Sequence, residues 1–175
     1  MSDAANSTVY LTNLLKNLRY YKGLGERAIA QVSDADLHAL LDPDSNSIAV
    51  IVQHLAGNLR SRFTDFLTTD GEKPDRNRDG EFEMPDALSR RELMEAWDKG
   101  WTITFAAIER LEPADLLRTV YIRGEAALAL ETLNRLALHA AYHVGQIVYL
   151  SKHFAAGEWK TLSIPRRRAD ASSRQ

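Results

Sequence analysis

The sequence predicts an all-α fold, a bundle of four long helices. Four stretches place apolar residues at alternating spacings of three and four, which puts them on one face of a helix. The only strand-like run is short and β-branched, Thr119 to Ile122. The chain has 175 residues and no cysteine, so its core must be held by packing alone, which this length allows.

In the first helix Tyr10, Leu11, Leu14, Leu15, Leu18 and Tyr21 form the apolar face. Gly23 and Gly25 interrupt it, with the pattern resuming at Ile29 and Val32. The run Asp42-Pro43-Asp44-Ser45-Asn46-Ser47 is a turn rich in helix-capping side chains. A second helix is expected from Ile48 to Leu67, with Ile48, Ile51, Val52, Leu55, Leu59, Phe63 and Phe66 facing the core. The polar stretch from Thr68 to Asp86, broken by Gly71, Pro74, Gly80 and Pro85, reads as a long loop between helices two and three.

The third helix starts at Ser89, where Glu92 completes a capping box, and buries Leu93, Trp97, Trp101, Phe105 and Ile108. Trp97 and Trp101 suit either the core or an interface. Thr119 to Ile122 is expected to be an extended connector. The fourth helix begins between Glu125 and Leu130 and runs to about Phe154, through Leu133, Leu136, Ala140, Val144, Ile147 and Val148. One domain over residues 1–166 is expected, followed by a flexible basic and polar tail over 167–175.

Composition narrows the function. The formal net charge is -2 and the pI about 6.2, which gives no sign of a nucleic-acid-binding face. No apolar run approaches a membrane span, and the first residues are small and polar, so a cytoplasmic protein free of membrane is expected. Without cysteine, the strong metal ligands are His, Asp and Glu.

Among the five histidines, His139 and His143 stand four apart on the fourth helix, on one face. Both imidazoles could therefore reach one ion. His54, in the middle of the apolar second helix, supplies a third nitrogen, since a bundle turns such faces inward. The bland alternative is three core histidines satisfied by hydrogen bonds. Asn58 and Arg62 follow His54 on the same side of the helix, either as a solvated polar stripe or as a polar wall beside the metal, with Arg62 facing an anionic substrate group. Gln146, three residues after His143, is either an outer partner of the site or bonded to a loop. His153 lies too far along the axis to share the ion, and His38 is expected at the surface. Arg60, Arg62, Lys73, Arg76 and Arg78 alternate with Asp65, Asp70, Glu72, Asp75 and Asp79, and read as a salt-bridged, solvated segment.

Three histidines leave a coordination position open, the arrangement of catalytic rather than structural zinc. Zinc or nickel suits these ligands first, with iron and manganese also compatible. No Glu accompanies the histidine pair in the metalloprotease pattern H-E-x-x-H.

The run His139-Ala-Ala-Tyr-His143-Val-Gly-Gln146, together with His54 far upstream, resembles the DinB-like superfamily of bacterial helical proteins. Three stretches are similar to its DUF1572 branch: Ser47-Ile-Ala-Val-Ile-Val-Gln-His54-Leu-Ala-Gly-Asn58, Arg76-Asn-Arg78-Asp-Gly-Glu81-Phe82 and Trp159-Lys-Thr-Leu-Ser-Ile-Pro165. The resemblance implies a DinB/YfiT-like bundle in up-down-down-up order, one divalent metal on His54, His139 and His143, and a homodimer. Some superfamily members transfer a low-molecular-weight thiol, such as bacillithiol or mycothiol, to an electrophile. The resemblance thus implies a metal-dependent thiol transferase or hydrolase acting on a small molecule. The alternative is a non-catalytic metal-binding or stress-response module. Many superfamily members carry Arg directly after the last histidine, where this chain has Val144.

Overall fold

A computed structural model describes residues 3–83 and 88–164. The expected tail at 167–175 and the last residues of the expected 68–86 loop lie outside them. The described residues form five helices, three short 3-10 turns and one two-stranded hairpin: α1 Asp3–Ile29, α2 Asp34–His38, α3 Ile48–Phe63, α4 Arg90–Glu109, β1 Thr119–Ile122, β2 Glu125–Leu128 and α5 Ala129–Ala155. No helix among the described residues is long and apolar enough to cross a membrane.

The four long helices are those expected, with three differences. Helix α1 runs through Gly23 and Gly25 without a break. Its far end is tied down by Arg90 at the start of α4, which donates to the carbonyls of Ile29 and Val32, at 2.9 and 2.7 Å, and to Asp34. The carbonyls that a helix end leaves unpaired thus gain a cationic donor. Helix α3 stops at Phe63 rather than Leu67. Asp65 takes a left-handed backbone, φ 49°, which a helix cannot continue through. The chain turns back there, so Phe66 stays buried against Phe63 at 5.6 Å although it is no longer helical. The apolar pattern outlasts the helix for that reason. Helix α2 was not expected: it is one short segment capped by Ser33 and Asp36, which bond each other's backbone reciprocally.

The expected caps are present. Ser47 caps α3, and Ser89 with Glu92 forms the capping box of α4. Thr119 to Ile122 is one arm of an antiparallel hairpin rather than a connector, pairing Thr119 with Leu128 and Ile122 with Glu125. Arg123 and Gly124 turn it, both at positive φ, 57° and 76°, as a two-residue hairpin turn demands.

Helix α3 packs on α4 and α5, and α1 packs on α5 and α4. The core runs between them, from Leu11, Leu14 and Leu18 across Leu55 and Leu59 to Leu133, Val144 and Ile147. Trp97 and Trp101 are fully buried in it, ring against ring at 5.5 Å. They serve the core, not an interface. The residues from Thr64 to Glu83 lie along α3: Gly71 donates its N–H to the Tyr121 carbonyl, and Ser61 Oγ donates to the Gly71 carbonyl.

Candidate metal centre

The packing of α3 on α5 brings His54 opposite His139 and His143. Nε2 of His139 lies 3.3 Å from Nε2 of His54 and 3.0 Å from Nε2 of His143. One ligand nitrogen from each ring falls within 4.8 Å of the others, close enough to hold one metal ion. Two nitrogens bound at about 2.0–2.1 Å on tetrahedral corners sit about 3.3 Å apart, so the spacing is that of ligands sharing an ion.

The other ring nitrogens are occupied. Nδ1 of His54 is 2.9 Å from Oε2 of Glu81, and Nδ1 of His143 is 2.8 Å from Oε1 of Gln146. Each partner is an acceptor, so each Nδ1 carries the proton and each Nε2 presents a lone pair. His139 Nε2 therefore faces two acceptors and can donate to only one. The unprotonated contact that remains is repulsive unless a cation stands between the nitrogens. The donor set thus fits a divalent ion.

Electrostatics favour the neutral, metal-ready form. Burial, then positive charge on His143 and His54, pushes His139 from 6.5 down to about 4. Burial, aided by the charge of His54, also lowers His143, against the bond from Gln146. At Glu81, burial works to raise the carboxyl, but hydrogen bonds from Arg76 and His54 outweigh it and hold the group below its usual range.

Of the other expected site residues, Gln146 touches His143 and donates from Nε2 to the Tyr142 hydroxyl at 3.1 Å. Beyond it opens a cleft of about 540 Å³ between Asn46, Tyr142, Gln146 and Tyr149. Asn58 lies buried one turn after His54, its Oδ1 without a hydrogen-bond partner. Arg62 is buried too, and its guanidinium is already engaged by the Gly71 carbonyl and by Glu72 at 2.9 Å. His38 is half-buried, with Nε2 at 3.1 Å from the Leu88 carbonyl, and His153 is exposed.

Two residues beside the site were not singled out from the sequence as partners of the histidines. Glu81 reaches His54 from the segment before α4, and Arg76 grips Glu81 with Nε and Nη2, at 2.7 and 2.8 Å. The segment is salt-bridged as expected, through Arg60–Asp75, Arg62–Glu72 and Arg76–Glu81. It is not solvated throughout: the Arg76 side chain is 1% exposed. Alternating charges look the same on a wet surface and in a buried network, so no local signal separates them. Phe82, next to Glu81, lays its ring 4.7 Å from that of His54.

The family model DUF1572, a protein of unknown function, matches residues 5–168. The chain belongs to the DUF1572 family. No curated protein and no solved structure matches it. In this DUF1572 chain the three stretches that carried the resemblance meet different fates. The one around His54 and the one ending in Glu81-Phe82 converge on the histidine cluster. The third, from Trp159, packs near the end of α1, where the Lys160 N–H donates to Gln31 at 2.6 Å.

Proposed function

We propose that His54, His139 and His143 hold one divalent metal ion, zinc or nickel first, in a DinB-like four-helix bundle, and that the centre serves a metal-dependent thiol transferase or hydrolase. The observation that carries the proposal is the convergence of three Nε2 atoms whose Nδ1 partners, where present, are acceptors. The bundle is supported by the ring of pairings α1–α5–α3–α4, which closes on itself.

A divalent ion at this place would supply Lewis acidity, lowering the pKa of a thiol or water beside it. The residues of the chain hold and orient. Glu81 and Gln146 accept hydrogen bonds from Nδ1–H of His54 and His143, leaving both Nε2 lone pairs free. Phe82 and Tyr142 flank the rings of His54 and His143, at 4.7 and 4.8 Å, and shield them from bulk water. The cleft beside Gln146 offers room for a small molecule, and its walls include Gln146 but none of the three histidines.

A second reading, a non-catalytic metal-binding or stress-response module, is favoured by one observation. Arg62, which would meet an anionic substrate group, is spent on Glu72 and Gly71. The homodimer that the resemblance implies belongs to both readings, and light scattering at micromolar concentration tests it.

Metal content by mass spectrometry of untagged protein, beside a His139→Ala/His143→Ala variant, decides whether there is a centre. About one equivalent in the wild type, lost in the variant, is the expected result. Metal-dependent consumption of an electrophile in the presence of a thiol, or of a hydrolysable substrate, then separates enzyme from module. No metal after incubation with zinc, nickel and manganese would return the histidines to the core.

A further inference from the structure

We propose that Glu81 and Arg76 are positioning residues for the metal centre: the Arg76 guanidinium locks the Glu81 carboxylate onto Nδ1 of His54, so that Nε2 of His54 is kept unprotonated and aimed at the ion. The inference rests on the metal-binding reading above. It makes the segment before α4 a working part of the centre rather than a cover.

Three observations carry it. The first is geometric. Arg76 holds both oxygens of Glu81 through a two-pronged fork, at 2.7 and 2.8 Å, and Glu81 Oε2 stands 2.9 Å from His54 Nδ1. Such a fork fixes the carboxylate plane as well as its place. The second is burial. The side chains of Arg76, Glu81 and His54 are 1%, 8% and 8% exposed. A carboxylate taken out of water must keep its cation, so the pair has no easy alternative arrangement.

The third is the surface of α3 on which Glu81 rests. A Cβ at Gly57, one turn after His54, would fall 2.9 Å from Cδ of Glu81 and closer still to its Oε1. Any side chain at 57 therefore contests the place of the carboxylate. Glycine weakens a helix interior, by roughly 0.5–1 kcal/mol against alanine, so its presence here is explained by what it lets in.

The chain of charges continues outward. Glu72 stands 3.6 Å from Arg76 Nη1 and also accepts from Arg62 and from Arg123 at the hairpin turn, at 2.9 and 3.0 Å. Arg76 Nη1 itself makes no hydrogen bond, so Glu72 adds charge rather than a second grip. A carboxylate on the far nitrogen of a metal-binding histidine sets the tautomer, the ring angle and the basicity of the bound nitrogen. A pair that served folding alone would influence none of these.

The test uses the full chain, with cobalt(II) as the probe and two readouts. Ring 15N shifts of His54 in the metal-free protein at pH 7.5 report the tautomer, and cobalt titration reports affinity. The Arg76→Met/Glu81→Met variant removes both charges together, which spares the core an unpaired ion. Expected are a His54 ring that shifts toward protonation on Nε2 and a cobalt affinity weaker by roughly ten- to a hundredfold. Asp75→Ala, which breaks the Arg60–Asp75 pair on the same segment away from His54, should leave both readouts as in the wild type. Gly57→Ala keeps every polar group, favours the helix, and should still weaken cobalt binding. It stands in if the double variant does not fold.

Wild-type affinity and tautomer in either Glu81-displacing variant would overturn the positioning role. A wild type that takes up no cobalt would end the metal reading. The ring shifts would still judge the pair, for it, with the His54 proton on Nδ1, or against it, with the proton on Nε2.

Discussion

Gly25 on α1 lies against the indole of Trp97 on α4: a Cβ there would sit 3.1 Å from both Cζ2 and Cη2 of the ring. The glycine that looks like a helix interruption is the point where the helix meets the largest side chain in the core. Trp97 has no room to withdraw, being fully buried and edge-on to Trp101 at 5.5 Å. Gly25→Ala should therefore lower the melting temperature, by roughly 2–4 °C, although alanine is the better helix former. A rise in melting temperature would show that the core yields.

Metal should stabilise the fold, because only the folded chain assembles the three nitrogens. A ligand at a hundred times its dissociation constant contributes about 2.7 kcal/mol, or about 5–10 °C for a chain of this size. Thermal melts with zinc or nickel against a chelator measure it. His139→Ala should erase the difference, since Nε2 of His139 is the atom that neighbours both others. A metal-induced shift that survives the substitution would place the ion elsewhere.

In metal-free protein, His139 should titrate at about 4 rather than 6.5, chiefly through burial and then through the charge of its histidine neighbours. The folded value is depressed, so the folded state binds fewer protons than the unfolded chain below pH 6.5. Stability from this group is full above 6.5 and is lost as the pH falls toward 4. Ring 15N shifts followed against pH read the midpoint directly, and a value near 6.5 would refute it.

Asp70 joins the segment after α3 to the hairpin. Its carboxylate accepts the backbone N–H groups of Glu72 at 2.7 Å, Gly124 at 2.7 Å and Arg123 at 2.8 Å. These bonds, from Glu72 and Gly124 first, hold its pKa below the usual carboxylate range. Its contribution is therefore present above that range and lost as the pH falls through the depressed folded value. Asp70→Asn should melt about 2–4 °C lower at pH 7, with the gap closing toward pH 3. A gap independent of pH would mean that the charge plays no part.

Helix existence, helix caps and the candidate ligands were legible because their signals are local. Ser89 with Glu92, and His139 with His143, act across a single helical turn, and apolar spacing declares the buried face whatever it faces. Where α3 ends was not legible, since Phe66 stays buried after the backbone has turned at Asp65. The second hairpin strand, Glu125-Ala-Ala-Leu128, was hidden because its residues carry little strand preference and are held by pairing with Thr119 to Ile122.

The sequence by itself determined a mostly helical chain, its four long helices and three histidines on inward-facing positions, because periodicity and short-range spacing dictate which face is buried. Only the tertiary structure decided that the three rings share one point and that Glu81 and Arg76 stand behind His54. It alone also showed that Arg62 is committed to Glu72. The decisive contacts, Arg62 with Glu72, His54 with Glu81 and His54 with His139, join residues 10, 27 and 85 positions apart, and a charge or an imidazole finds such a partner only when packing removes the water between them.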